Sequence, residues 1–321
     1  MFANFVGMGS FMAPPENSGS SSKSSKNCIE MYFDDVLPLF ETHDKEKTIY
    51  DEGIKVLTFH YQLPEKLPAS VESTSGFVRY AVHVCVDVDG ETIKNTEYFS
   101  IMSKTNVNEN PSCNLPGIIW QPEKQCIFQS LLCSRNHIRA FVHIPKQGYV
   151  PGEYLFVNAE ISNFFRQPIE WVKASLIQII KYKGFKSLMD KRVVSEITRG
   201  SVMPFKTQAW RSEGMIIPAI PPTSSKPYGL VTIKYRLLFQ YKPSWQRKHI
   251  ELKQNVFIGA VQLVQYKQGR GEGEGAYNSQ CFNGSNLESC IFGPHSISDE
   301  SNDVSNLFTK FSPLYPVCIE S

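Results

Sequence analysis

The chain has 321 residues and a formal net charge of only +2, from 33 basic and 31 acidic side chains. No global field therefore draws it to nucleic acid or to anionic membrane, and any charged surface must be local. Its 21 Phe, 14 Tyr, 20 Pro and 20 Gly favour short strands broken by turns over long helices, so an all-β class spread over two domains is the first expectation.

At the N-terminus, MFANFVGMGSFMAPP is apolar but is preceded by no Lys or Arg and is interrupted by Asn and Gly, which makes a poor signal peptide. Residues 10–27 are rich in Ser, Pro and Gly with little apolar surface. Residues 1–31 are therefore expected to form a disordered arm, with order beginning near Tyr32. From Ile54 to Leu63 the side chains alternate, with Leu57, Phe59, Tyr61 and Leu63 on one face and Thr58, His60 and Gln62 on the other, which predicts a half-buried strand. Residues 77–88 repeat the pattern with Val78, Tyr80, Val82, Val84, Val86 and Val88 inward. Between the two, Pro64, Pro68 and Gly76 punctuate a connection that no helix could cross. Asp89-Gly90 predicts a tight hairpin into 91–101. Residues 104–130 lack sustained periodicity and read as a linker between a partial sandwich at 32–103 and a second sandwich at 131–265.

In that second unit, strands are expected at 137–144, 154–161, 169–182, 191–198, 204–217, 230–241 and 248–264, the spacing a sandwich requires. WVKASLIQIIKY also admits a helix, because Val172, Leu176, Ile179 and Ile180 fit helical spacing. A strand is preferred because its neighbours on both sides are strands. Residues 266–321 open with GRGEGEG, continue in Ser, Asn and acidic residues, and read as a disordered tail.

Candidate chemistry is sparse. Eight dispersed cysteines are too few for a disulfide scaffold, so reduced thiols in the cytosol are expected. No stretch approaches the roughly 20 apolar residues that span a bilayer. The sequon at Asn283 carries the weight of a chance match. Cys126, Cys133, His137 and His143 are spaced C-x6-C-x3-H-x5-H, a cysteine gap too long for a zinc knuckle, so no metal is expected. Neither G-x-S-x-G nor H-E-x-x-H occurs, and GRGEGEG lacks the strand-to-helix context of a phosphate loop. The expectation is a protein with no cofactor and no enzymatic activity. Lys181, Lys183, Lys186, Lys191 and Arg192 cluster around a predicted hairpin. A solvated turn is the simpler reading and a phosphate or acidic-lipid contact the sharper one. Cys318-Ile319-Glu320-Ser321 fits C-a-a-X formally, but Glu320 and the missing polybasic run argue against prenylation. The serines of SISDESNDVS are candidates for phosphorylation.

Several short passages resemble one family in order and spacing. Leu63-Pro64, Leu67-Pro68, Ser70, Glu72, Gly76 and Val78-Arg79-Tyr80 resemble a late part of the N-terminal domain of arrestin-domain-containing proteins, the alpha-arrestins. Gly148 to Glu153 with Ala159 to Asn163 resemble the opening hairpin of their C-terminal domain. Ile220 to Ser224, Ile233-Lys234-Tyr235, Ile258-Gly259 and Pro313-Leu314-Tyr315-Pro316 extend the likeness. Most of these residues have a structural explanation of their own. Pro151-Gly152 suits a type II turn and Pro221-Pro222 holds an extended approach to a strand, while Arg79, on the outer face of its strand, can pair with a carboxylate such as Glu72 or contact a partner, the surface ion pair being the simpler reading.

The resemblance implies two Greek-key, immunoglobulin-like sandwiches of arrestin type, the first incomplete because several family strands have no counterpart before Tyr32. It also implies an adaptor for protein transport that binds membrane-protein cargo tails, endocytic or ubiquitin-ligase machinery, and other arrestin-like proteins. No nucleic-acid partner and at most peripheral membrane contact follow, with a cytoplasmic location associated with endosomes or the plasma membrane. Relatives recruit ubiquitin ligases through Pro-Pro-x-Tyr motifs read by WW domains. None occurs here, and Pro313 with Tyr315 supplies half of one. A truncated regulatory paralogue that recruits no ligase is the alternative. An extracellular immunoglobulin-like adhesion module is disfavoured by the poor signal peptide.

Overall fold

The computed structural model describes residues 1–13, 26–39, 53–54, 56–88, 90–121, 137–184, 187–224, 229–263, 286–293 and 311–318. Strands dominate, as the alternating side chains require, and the described residues fall into four sheets.

The N-terminal sheet is built around β1 (Phe2–Ala13) and β4 (Gly76–Val88), which pair antiparallel from Phe2↔Cys85 to Phe11↔Gly76. β2 (Lys26–Pro38) flanks β1, while β3 (Val71–Glu72) and β5 (Glu91–Phe99) pair with the far side of β4. The expected disordered arm at 1–31 is therefore corrected over 2–13 and 26–31, and the rest of it lies outside the described residues. Composition misled because the polar Ser/Lys run and the strands flanking it were averaged together. In β1 the odd positions Ala3, Phe5, Gly7, Gly9 and Phe11 are all buried. Gly7 is required there because a Cβ would stand 2.5 Å from the Phe33 ring and 2.8 Å from that of Tyr80, two rings that stack with centroids 5.8 Å apart.

Residues 54–63 do not form the expected strand. No strand pairs with them among the described residues, and Ile54 and Val56 are 97% and 82% exposed. The segment crosses the sheet as a strap pinned by its rings: Tyr61 stacks on Phe5 at 4.0 Å and donates to Asp35, and Phe59 meets Phe5 edge-on at 5.8 Å. Alternation predicts exposure of side chains to two faces, but only backbone pairing makes a strand. β4 follows its predicted inward face at Val78 and Tyr80, then loses burial until Val88 is 48% exposed. The cause is geometric: pairing with β1 ends at Cys85, and beyond it only the β4–β5 hairpin continues, turning at Gly90 with φ 90°.

The C-terminal unit has two sheets. One runs β11 (Leu188–Arg199), β10 (Ile169–Tyr182), β13 (Val231–Pro243), β14 (Ile250–Ile258) and β8 (Gly148–Tyr149). The other runs β12 (Thr207–Ile216), β9 (Tyr154–Asn163), β7 (Ile138–Ile144) and β6 (Gly117–Trp120). WVKASLIQIIKY is a strand, paired along its length with β11 and β13. β6 corrects the linker expected at 104–130. It pairs with β7, and the two short 3-10 helices before it (Val107–Glu109 and Pro111–Asn114) bury Val107 and Cys113. Residues 122–130 lie outside the described residues.

Val142, Val157 and Ile161 from one sheet share a core with Val172, Leu176, Leu237 and Phe239 from the other, the packing of a β-sandwich. That same continuous core includes Ala3, Phe5, Phe11 and Tyr80 of the N-terminal sheet. The tail expected to be disordered over 266–321 is also corrected in part. β15 (Asn286–Ser289) and β16 (Leu314–Val317) form an antiparallel pair docked on the body of the protein, because Tyr315 and Val317 alternate inward.

Candidate interaction site

The two halves meet at a seam of buried polar groups. Glu72, on β3, has its side chain 1% exposed and receives two hydrogen bonds from Arg79 on β4, Nε to Oε1 at 2.7 Å and one terminal nitrogen to Oε2 at 3.0 Å. The pairing expected of Arg79 and Glu72 is thus present, but it is buried and bidentate rather than a surface contact. From the other side, Arg192 on β11 donates through Nε to Gln178 Oε1 at 2.6 Å and through a terminal nitrogen to the Glu72 carbonyl at 2.8 Å. Its guanidinium lies 3.8 Å from the centre of the Phe292 ring. Burial lowers the pKa of Arg192. Gln178 passes the network on to the Tyr235 hydroxyl at 2.6 Å, which donates to the Pro221 carbonyl. Beside it, the turn between β3 and β4 docks on the β10–β11 hairpin through Asp190, which accepts from Ser73 Oγ at 2.8 Å and Ser75 Oγ at 2.6 Å. Phe11 stacks on Tyr182 at 5.2 Å beneath them.

The tail pair β15–β16 clasps this seam. Tyr315 is 1% exposed and its hydroxyl donates to the Ser70 carbonyl. Leu314 N–H donates to Ser100 Oγ at 2.9 Å on the N-terminal side, and Ile291 N–H and Cys318 N–H donate to the Ala219 and Pro151 carbonyls on the C-terminal side. Burial raises the pKa values of Tyr315, Tyr235 and Cys290 around it, so none ionises near neutral pH. Pro313 and Tyr315 are therefore not the accessible half-motif that their sequence suggests. Both are buried, and the Pro313 carbonyl is taken by Cys290 N–H.

The basic cluster divides. Lys181, Lys183 and Lys191 are exposed, Lys186 lies outside the described residues, and Arg192 points the opposite way into the seam. A strand sends successive side chains to opposite faces, so the Lys191 ammonium and the Arg192 guanidinium stand on opposite sides of β11. On the outer face Lys191 is joined by cations that sequence neighbourhood could not reveal. Register places Ile179 of β10 between Lys191 of β11 and Lys234 of β13, and Ile177 between Val193 and Arg236. Lys253 of β14 lies opposite Leu238, completing a shallow groove that ends at Glu251. Glu251 accepts from His249 at 2.8 Å and from Gln240 at 2.9 Å, and lies 3.0 Å from Lys253. These bonds hold its carboxyl well below the usual range, at about 2. Charged residues at alternate positions, cations at Lys234, Arg236 and Lys253 with an anion at Glu251, are the sequence signal that marks this face.

Elsewhere, His137 stacks on Phe164 with centroids 4.4 Å apart, while Cys126 and Cys133 lie outside the described residues. Cys113 is buried and its thiol is pushed up to about 11, the condition of an inert packing residue. Among the described residues no helix is long and apolar enough to cross a membrane.

The nearly all-β chain, with its curled antiparallel sheets packed on one continuous core, has the architecture of arrestin-type β-sandwich domains. Residues 12–108 match the family description "Arrestin (or S-antigen), N-terminal domain", and residues 134–263 match "Arrestin (or S-antigen), C-terminal domain". The chain belongs to the arrestin family. It is 28% identical over 224 residues to "Arrestin domain-containing protein 17" of Caenorhabditis elegans, an alignment covering 64% of this chain and 52% of that protein. It is 26% identical over 215 residues to "Arrestin domain-containing protein 1" of Mus musculus, covering 66% and 48%. With "Arrestin domain-containing protein 5" of Homo sapiens it shares 25% over 181 residues, covering 55% and 51%. The chain spans about half the length of the curated relatives it matches.

Proposed function

We propose that this chain is a cytoplasmic, arrestin-like adaptor for protein transport rather than an enzyme, binding membrane-protein cargo tails and endocytic or ubiquitin machinery at endosomes or the plasma membrane. The observation that carries this reading is the seam from Glu72 through Arg192 to Tyr315, which ties both family-matched units and the tail together. Sheet faces and edges from both units then stand in one fixed arrangement, the preorganisation a protein-binding scaffold needs. Proximity labelling of the tagged chain in its native cells tests it. Enrichment of membrane cargo and sorting proteins is the expected result, and a folded chain that enriches neither would sink the reading.

A second reading, a regulatory paralogue that pairs with other arrestin-like proteins and recruits no ubiquitin ligase, is favoured by two observations: Tyr315 is buried in the clasp, and no complete Pro-Pro-x-Tyr occurs among the 321 residues. Capture of a WW-domain ubiquitin ligase by this chain, lost when residues 311–321 are removed, would overturn that second reading.

A further inference from the structure

We propose that the outer face of the β11-β10-β13-β14 sheet is a docking groove for an extended acidic protein segment with apolar residues at alternate positions. The proposal rests on the adaptor reading for the class of partner, a stretch of protein, and on the groove itself for its chemistry. The floor is a narrow apolar strip on β10, where Ile177 and Ile179 are 9% and 8% exposed, extended sideways by Val193 and Leu238. Side chains two apart on a strand stand about 7 Å from one another, the same repeat that an extended peptide presents along one of its own faces. Both banks are cationic. Lys191 lies on one side of the strip, Lys234 and Arg236 on the other, with Lys181 at its end and Lys253 beyond Leu238.

Most of these charges are not consumed within the protein; Lys253 is the exception, standing 3.0 Å from Glu251. Among the described residues Lys181, Lys191 and Lys234 make no ion pair, and Arg236 reaches only Asn255 Oδ1 at 3.3 Å. The nearby carboxylates on this face are engaged: Glu251 with His249, Gln240 and Lys253, and Glu196, opposite Ser175, with Lys173 at 3.4 Å. A concentration of cations on one face is notable in a chain whose net charge is only +2. Charge complementarity therefore selects an anionic occupant.

The recessed floor decides which anionic occupant fits. A flat bilayer surface would meet the lysine tips and leave the isoleucines untouched. Single-stranded nucleic acid would call for aromatic stacking platforms, which the strip lacks. An extended segment alternating carboxylates with Leu or Val places its apolar side chains on Ile177 and Ile179 and its carboxylates toward the two banks.

Fluorescence anisotropy with the purified full chain and a labelled synthetic peptide alternating Glu with Leu and Val tests this directly. The expected result is saturable binding that weakens as salt rises. It should weaken at least about tenfold in Lys191→Glu/Arg236→Glu. The double variant Lys206→Glu/Arg211→Glu makes the same charge change at exposed sites beside and on β12, in the other sheet, and should bind as the unaltered chain does. Thermal melts of both variants confirm that they fold. Equal weakening in the two variants would overturn the proposal, as would undiminished binding of a peptide with Ser in place of Leu and Val. Capture of phosphatidylserine vesicles in a Lys191/Arg236-dependent manner, without peptide binding, would assign the face to a membrane instead and also overturn it. The measurement uses purified components, so its failure would leave the cellular test of the adaptor reading unaffected.

Discussion

Glu72 carries two burdens: its carboxylate holds Arg79 and its carbonyl holds Arg192. Removing one member of a buried ion pair leaves an uncompensated charge, which typically costs about 3–5 kcal/mol. Glu72→Ala and Arg79→Ala should each lower the free energy of unfolding by that order in urea denaturation. The double variant should lose clearly less than their sum, since neither residue is then left facing the empty place of the other. Glu251 tells a different story because it is partly exposed. Its folded pKa of about 2 lies below the unfolded value near ~4.3, so its contribution is present above that unfolded value and fades as pH falls through the folded one. The stability difference between the unaltered chain and Glu251→Gln should therefore shrink as acid is added from about pH 5 to pH 2. Salt should reduce it as well. Of these residues only the Glu72–Arg79 pairing was legible beforehand, because its partners stand seven positions apart. By sequence Arg192 belongs to a basic cluster, since a linear run of charges does not reveal which strand face each one takes.

At the scale of elements, β10 was readable and β15–β16 was not. β10 is long, apolar and flanked by strands, and it pairs on both sides. β16 is only four residues long, and its stability comes from inserting Tyr315 and Val317 into a cleft built with other segments. Tyr315→Ala should empty that cleft and release the tail. Limited proteolysis should then cut within residues 311–318 faster than in the unaltered chain, while the sandwich core stays resistant. An unchanged digestion pattern would show that the clasp holds without the tyrosine. The strap at 54–63 is the converse case. Its alternation is clear, but among the described residues no strand pairs with it, and backbone pairing rather than alternation makes a strand.

For the whole molecule, the continuous core and the seam predict that the two units unfold together. Heating the unaltered chain should give one cooperative transition. Arg192→Met cuts the hydrogen bonds to Gln178 and Glu72 while keeping a long apolar side chain against Phe292, and it should separate the transition into two in calorimetry. A single transition in both proteins would mean that the apolar core alone couples the units. The all-β class, most strands of the C-terminal unit and the family were determined by the sequence alone. These follow from local alternation, from turn residues such as Pro151-Gly152, and from short motifs whose meaning does not depend on what lies opposite them. The place of β1 at the centre of a sheet, the burial of Tyr315 and the gathering of Lys191, Lys234, Arg236 and Lys253 around one groove were decided only by the tertiary structure. Each depends on strand register between segments distant in the chain, and register is set by how the whole core packs rather than by any one segment.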